Sequence, residues 1–262
     1  MLRGNDSKMA DSSVNIVCMK WGTRYPSHYV NVLHNAIGRN LSRPFRFLCI
    51  TDDPSDLLPE VEHCPIPDNP GVVGPDWPNV FVKLVITRDG FAGLSGPTLF
   101  LDLDLLILGP IDCFFDYHPG EYCIIHNWIE RRKQLFRARP DIGNSSIFRF
   151  EAGGSQHIYD TFIEEIGLVT DRSIYPTEQA FLTYAMKHKR YWPEAWVKSF
   201  KRHCRRTFPL NLLLPPKQPP ADTRFLVFHG FPDPHTAIEG HPGKRIHHRV
   251  LPTRWIADRW KL

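Results

Sequence analysis

The chain has 262 residues, 42% hydrophobic and 23% charged, with a formal net charge of +4, enough to bury a large core as one domain or two closely packed halves. Six cysteines stand far apart with no CxxC pair, which argues against a zinc site or a disulfide scaffold and for free, buried thiols. No stretch reaches the length of a membrane span, and the polar residues 1–13 lack the apolar core of a signal peptide, so the expected compartment is the cytoplasm.

After a loose N-terminus, residues 14–19 read as a buried strand, ended by Trp21-Gly22. Residues 27–40 show helical spacing, with Tyr29, Val32, Leu33, Ala36 and Ile37 on one face. A second strand, 45–51, is closed by Asp52-Asp53-Pro54, a turn and helix-cap device in preference to a base-recognition site, although strand-end carboxylates can bind a uracil or ribose. A helix is expected around 79–88 and a strand over 98–108. The second half predicts strands at 121–126 and 145–150 and helices at 157–166 and 177–188. A proline-rich extended connector, 212–223, then delivers a strand over 224–229 that ends in Gly230. Strands alternating with helices imply an α/β fold: a mainly parallel twisted sheet with flanking helices, whose ligands bind at the carboxyl ends of the strands.

Asp102 and Asp104 interrupt the apolar run 100–108. Folding buries such a run, and a buried carboxylate without a partner is costly. On an extended segment residues two apart share a face, so both can offer oxygens to one hard cation, magnesium, manganese or calcium. The competing reading has both aspartates capping a loop or pairing with Arg or Lys.

The charge is unevenly spread. Residues 187–262 hold 16 Lys and Arg against 5 Asp and Glu, so the acidic excess lies in the rest of the chain. A basic C-terminal third points to an anionic partner, whether phosphate, an acidic glycan or a membrane surface, or else to a solvated basic face. The basic residues are not interleaved with a nucleic-acid-binding motif, so no nucleic-acid partner is expected. The segment 255–260 either closes the fold or touches a membrane.

Taken in order, several motifs resemble the A-type nucleotide-sugar glycosyltransferases, and among them the family 8 retaining enzymes that include glycogenin and bacterial galactosyltransferases. The first strand with Tyr25 is similar to the nucleoside-binding segment, and Lys83-Leu84 to the basic-Leu pair before the metal strand. Leu101-Asp102-Leu103-Asp104 resembles the DxD motif, Asn144-Ser145-Ser146 the Asn-Ser-Gly motif, and Glu178-Gln179 the Asp-Gln pair. His229-Gly230-Phe231-Pro232-Asp233-Pro234 is similar to the late His/Gly/Lys-Pro motif, with two departures. The family's metal-binding histidine aligns with Val227, two residues before His229, and the family's lysine is replaced by Asp233.

The resemblance implies a glycosyltransferase domain over 14–236, with a nucleotide-binding half (14–120) and an acceptor half (121–236). A disordered stretch, 1–13, would precede it and a basic segment, 237–262, would follow. It further implies Mn2+ or Mg2+ held by Asp102, Asp104 and His229. Donor contacts would come from Tyr25, Lys83, Asp102 and Gly230, and the reaction centre would hold Asn144, Glu178 and Gln179. With Asp233 in the lysine position, Lys201 is the expected replacement cation on the diphosphate, with Arg205 or Arg206 sharing the task.

The donor would be a nucleotide-diphosphate sugar, a UDP-sugar first, and the acceptor a glycan or glycolipid. Transfer with retention is expected, in the cytoplasm or peripherally at the inner face of the membrane. Two other readings compete. One is a non-catalytic nucleotide-sugar-binding scaffold; the other is an aspartate-based phosphatase, disfavoured by Leu106 and by the hundred residues preceding the motif.

Overall fold

A computed structural model describes residues 13–67, 80–128, 141–169, 171, 173–175 and 177–262. The expected loose N-terminus therefore falls almost wholly outside the described residues.

Strand β1 (Val14–Lys20) is buried along its whole length. Its side chains alternate between two cores: Val14, Ile16 and Cys18 join one apolar cluster, Val17 and Met19 the other. A strand apolar on both faces belongs in the middle of a covered parallel sheet. That is its place in a seven-stranded sheet of order β3-β2-β1-β4-β7-β6-β8. Here β2 is Phe45–Thr51, β3 Glu62–Cys64, β4 Gly96–Leu101, β6 Cys123–His126, β7 Gly143–Ala152 and β8 Arg190–Tyr191. The strands from β3 to β4 are parallel, β7 runs antiparallel to both β4 and β6, and β8 is parallel to β6. Helix α1 (Ser27–Asn40) packs Tyr29, Val32, Leu33, Ala36 and Ile37 against the first cluster, the face expected from their spacing.

One expectation is corrected. The run 98–108 is two strands, not one. β4 stops at Leu101 and β5 (Leu105–Ile107) starts a separate three-stranded sheet with β9 (Val197–Ser199) and β10 (Phe225–Val227), so Asp102 and Asp104 sit in the bend between the two sheets. The apolar run is continuous because both strands are buried; the aspartates mark where the chain leaves one sheet for the other. The expected helix at 79–88 is a 3-10 segment, Val80–Thr87, whose side chains from Val82 to Thr87 are all buried.

The sheet contains one fully buried cation. Arg149, on β7, donates from Nη1 to the carbonyl oxygens of Phe114 (2.7 Å) and Phe115 (3.3 Å), and from Nη2 to those of His118 and Glu121. A buried charge is tolerable when its donors are filled, and here backbone carbonyls fill those of Nη1 and Nη2, while Nε has no hydrogen-bond partner among the described residues.

After β10 the chain forms a short helix, α2 (Pro234–Glu239), and returns to α1. Ile256 and Trp260 enter the first core cluster, and the Trp260 ring lies 4.7 Å from that of Tyr29. The C-terminal tryptophans thus close the fold. Arg249, Arg254 and Arg259 face outward beside them. The six cysteines are free, and no described helix is long and apolar enough to cross a membrane.

Candidate active site

Strand order reverses direction at β1: β2 and β3 lie on one side, β4 on the other. In an open α/β sheet this switch point leaves a crevice at the carboxyl ends of the strands. A cavity of about 560 Å³ opens there, lined by Met19, Trp21, Arg24 and Tyr25 after β1 and by Asp102, Leu103 and Asp104 after β4. Val80 and Lys83 of the 3-10 segment and His229 and Gly230 after β10 complete it.

Among the described residues each aspartate side chain is held by one partner. Lys83 Nζ donates to Asp102 Oδ1 at 2.7 Å and lies 4.0 Å from Glu178 Oε1. Burial works against the Lys83 charge, but Asp102 and Glu178 outweigh it and keep the ammonium more basic than usual. The Gly230 backbone N–H donates to Asp104 Oδ2 at 3.0 Å. That bond depends on a sharp turn: His229 (φ 57°) and Gly230 (φ 70°) both take left-handed backbone one residue beyond β10. For histidine this conformation costs on the order of 1 kcal/mol, so the surrounding contacts impose it.

The carboxylates repel each other in a poorly solvated place. Burial and then Asp102 raise the Asp104 carboxyl to about 7. Burial and then Lys201 lower the His229 imidazole to about 4, so it is neutral. Burial lifts the Tyr25 phenol, and Asp104 and Asp233 add to the effect.

This donor set fits a hard divalent cation. Each aspartate spends one oxygen on a protein partner and has a second, and a cation would offset the burial and the repulsion that together make Asp104 a weak acid. His229 lines the same cavity, yet among the described residues no three His, Cys, Asp or Glu side chains form a ready-made cage. The competing reading of the aspartates is also visible: Asp102 is paired with lysine and Asp104 holds a turn.

The sequence-predicted residues divide into two groups. Tyr25, Lys83, Asp102, Asp104, His229 and Gly230 meet at the cavity. Glu178 stands behind Lys83 and accepts from Ser145 Oγ at 2.6 Å. Asn144 turns its Oδ1 to the Ser146 backbone N–H at 3.1 Å, and Gln179 occupies the first turn of α3 (Glu178–Ala185). Neither of these two, nor Glu178, is in the cavity wall. Lys201 is behind it too, its Nζ donating to the His229 carbonyl at 2.7 Å. Arg24 escaped sequence reasoning, although its position beside Tyr25 was a usable signal.

No protein-family model and no curated protein matches the sequence. Solved structures do. The galactosyltransferase LgtC, in complex with donor and acceptor sugar analogs, is 12% identical with a TM-score of 0.58, over 84% of this chain and 88% of its own. The apo bifunctional glycosyltransferase WbbM is 12% identical with a TM-score of 0.57, over 86% of this chain and 47% of its own. The glycosyltransferase GlyE of Streptococcus pneumoniae TIGR4 is 12% identical with a TM-score of 0.52, over 84% of this chain and 56% of its own. The fold is that of the A-type glycosyltransferases. Within this glycosyltransferase fold the bend at Asp102 and Asp104, between the main sheet and the small one, forms one wall of the cavity.

Proposed function

We propose that the protein is a glycosyltransferase that takes a sugar from a nucleotide-diphosphate donor, a UDP-sugar first, and passes it to a glycan or glycolipid acceptor with retention. One observation carries this reading: Asp102, Asp104, Lys83 and Tyr25, separated in sequence, converge on one cavity at the switch point of a glycosyltransferase-type sheet.

The chemistry follows from the charges. As the glycosidic bond breaks, negative charge grows on the departing diphosphate while the sugar becomes oxocarbenium-like. Asp102 and Asp104 would hold a manganese or magnesium ion, which supplies Lewis-acid stabilisation of that leaving group. Lys83 fixes the orientation of Asp102, and the Gly230 N–H fixes that of Asp104. Tyr25 offers an aromatic face to the nucleoside. Glu178 and Gln179, at the start of α3, and Asn144, on β7, form the proposed surroundings of the reacting sugar. A cytoplasmic site of action, with the basic C-terminal third toward an acidic acceptor or membrane face, belongs to the same proposal.

Ligand-dependent melting tests this. A ligand that binds only the folded state raises the melting temperature by mass action. UDP with Mn2+ should stabilise the protein and UDP with a chelator should not, and a panel of nucleotide sugars should show Mn2+-dependent hydrolysis for one member. If no nucleoside diphosphate shifts the melting and no nucleotide sugar is cleaved, the reading fails.

A further inference from the structure

We propose that Arg24, positioned by Asp233, is the cation that grips the donor diphosphate. This rests on the nucleotide-sugar reading above and supplies the phosphate-binding cation that Lys201 was expected to provide.

Among the described residues the cavity has two cations in its wall, Lys83 and Arg24. Lys83 is already committed: its side chain is 8% exposed and its ammonium sits on Asp102, with Glu178 beyond. Lys201 is outside the wall and directed at a backbone carbonyl. Arg24 is different. Its side chain is 52% exposed, and its one ion pair among the described residues, Nη2 to Asp233 Oδ1, is 3.7 Å long. That distance exceeds a hydrogen bond, so the guanidinium is held by charge while most of its five N–H donors remain available. A planar fork of donors matches phosphate oxygens in pairs, which a lysine ammonium cannot do.

Asp233 makes sense as the group that holds this fork. Its side chain is 3% exposed, and among the described residues its Oδ1 has no hydrogen-bond partner. Burying a carboxylate oxygen unpaired is unfavourable, and the nearby guanidinium is the available compensation. The backbone of Asp233 is fixed independently, its N–H donating to Thr236 Oγ1 at 2.8 Å at the head of α2. The Arg24 guanidinium also lies 4.9 Å from the Tyr25 ring centroid and 5.5 Å from that of Phe231.

Gly230 ties this arrangement to the aspartates. A Cβ at Gly230 would stand 3.3 Å from Arg24 Nη2, so the glycine leaves room for the guanidinium while its own N–H holds Asp104. Arg24 therefore sits one residue's width from the carboxylate that would share the phosphates. Its chemistry complements theirs: the aspartates reach phosphate only through a cation, whereas Arg24 reaches it directly.

Calorimetry in Mn2+ with UDP, uridine and inorganic pyrophosphate as probes tests the assignment on wild type, Arg24→Gln, Arg24→Lys, Asp233→Asn and Lys201→Gln. Losing a charge-assisted contact should weaken UDP and pyrophosphate binding by about tenfold or more in Arg24→Gln, with uridine unchanged. Arg24→Lys should recover only part of that loss. Asp233→Asn should show the same pattern in weaker form, and Lys201→Gln should bind all three probes like wild type. Arg24→Gln leaves the buried Asp233 carboxylate without its compensating charge and should melt below wild type without ligand, so the unchanged uridine affinity is the control that separates binding from folding. Unchanged UDP affinity in Arg24→Gln, an equal loss for uridine, or the phosphate-specific loss appearing in Lys201→Gln instead would overturn the Arg24 assignment while leaving the nucleotide-sugar reading standing. Failure of wild type to bind any of the probes would overturn both.

Discussion

Lys83 joins two parts of the site that are far apart in sequence: its Nζ is 2.7 Å from Asp102 Oδ1 at the end of β4 and 4.0 Å from Glu178 Oε1 at the start of α3. One buried ammonium thus keeps two carboxylates close to each other. Removing it leaves like charges facing across a poorly solvated gap.

Lys83→Met keeps the apolar stem and removes only the charge. Asp102 is about a quarter exposed, so solvent screens part of the effect; the expected loss is about 1–3 kcal/mol of unfolding free energy, below the full cost of breaking a buried pair. Urea denaturation in chelator measures it. Adding Glu178→Gln should restore part of the loss, because one of the repelling charges disappears. A Lys83→Met protein as stable as wild type would show that the pair does not hold the site together.

Asp104 predicts a pH signature of the metal-free protein. Its carboxyl is raised to about 7 by burial and by Asp102, against an ordinary value of 3.8. Between those values the folded state keeps a proton that the unfolded state has released, so this group costs stability as pH climbs from about 4 to about 7, and no more above that. Asp104→Asn cannot ionise. In chelator its stability relative to wild type should therefore rise across that window and level off near pH 7. A difference that stays flat from pH 4 to 8 would show that Asp104 titrates normally, and a protein that gains stability from ionising it would show the reverse slope.

The sheet was legible because its strands are apolar runs bounded by turn residues, and the limits of β1, α1 and β2 follow from that pattern almost to the residue. The split between β4 and β5 was not. Both halves of 98–108 are buried, so hydropathy runs through the break, and the partner strand β10 lies more than a hundred residues away. The candidate site was legible where residue type alone announces chemistry, as at Asp102 and Asp104. It was illegible where a charge acquires meaning from a distant partner. Arg24 is an ordinary loop arginine until Asp233 is folded against it. Arg149 reads as the polar interruption of a strand, and only the backbone carbonyls between Phe114 and Glu121 make it a core residue.

The last prediction concerns the C-terminus, where the sequence left closure of the fold and contact with a membrane as alternatives. Trp260 is 8% exposed, with its ring 4.7 Å from Tyr29 and 6.3 Å from His28, both on α1. Tyr29 in turn bonds through its hydroxyl to His235 of α2, so the tryptophan covers the joint between the first helix and the last. Trp260→Ala removes a large buried ring and should cost about 3–5 kcal/mol, with a clearly lower melting temperature. Trp255, half-buried with its Nε1 donating to the Pro216 carbonyl at 3.2 Å, should cost less when changed to Ala. Sedimentation with vesicles of anionic lipid separates the alternatives. If the tryptophans close the fold, any vesicle binding should depend on the outward Arg249, Arg254 and Arg259 and vanish in high salt, since exposed charges are screened there. Binding that survives high salt and disappears in Trp260→Ala, with the melting temperature unchanged, would instead make the tryptophan a membrane anchor.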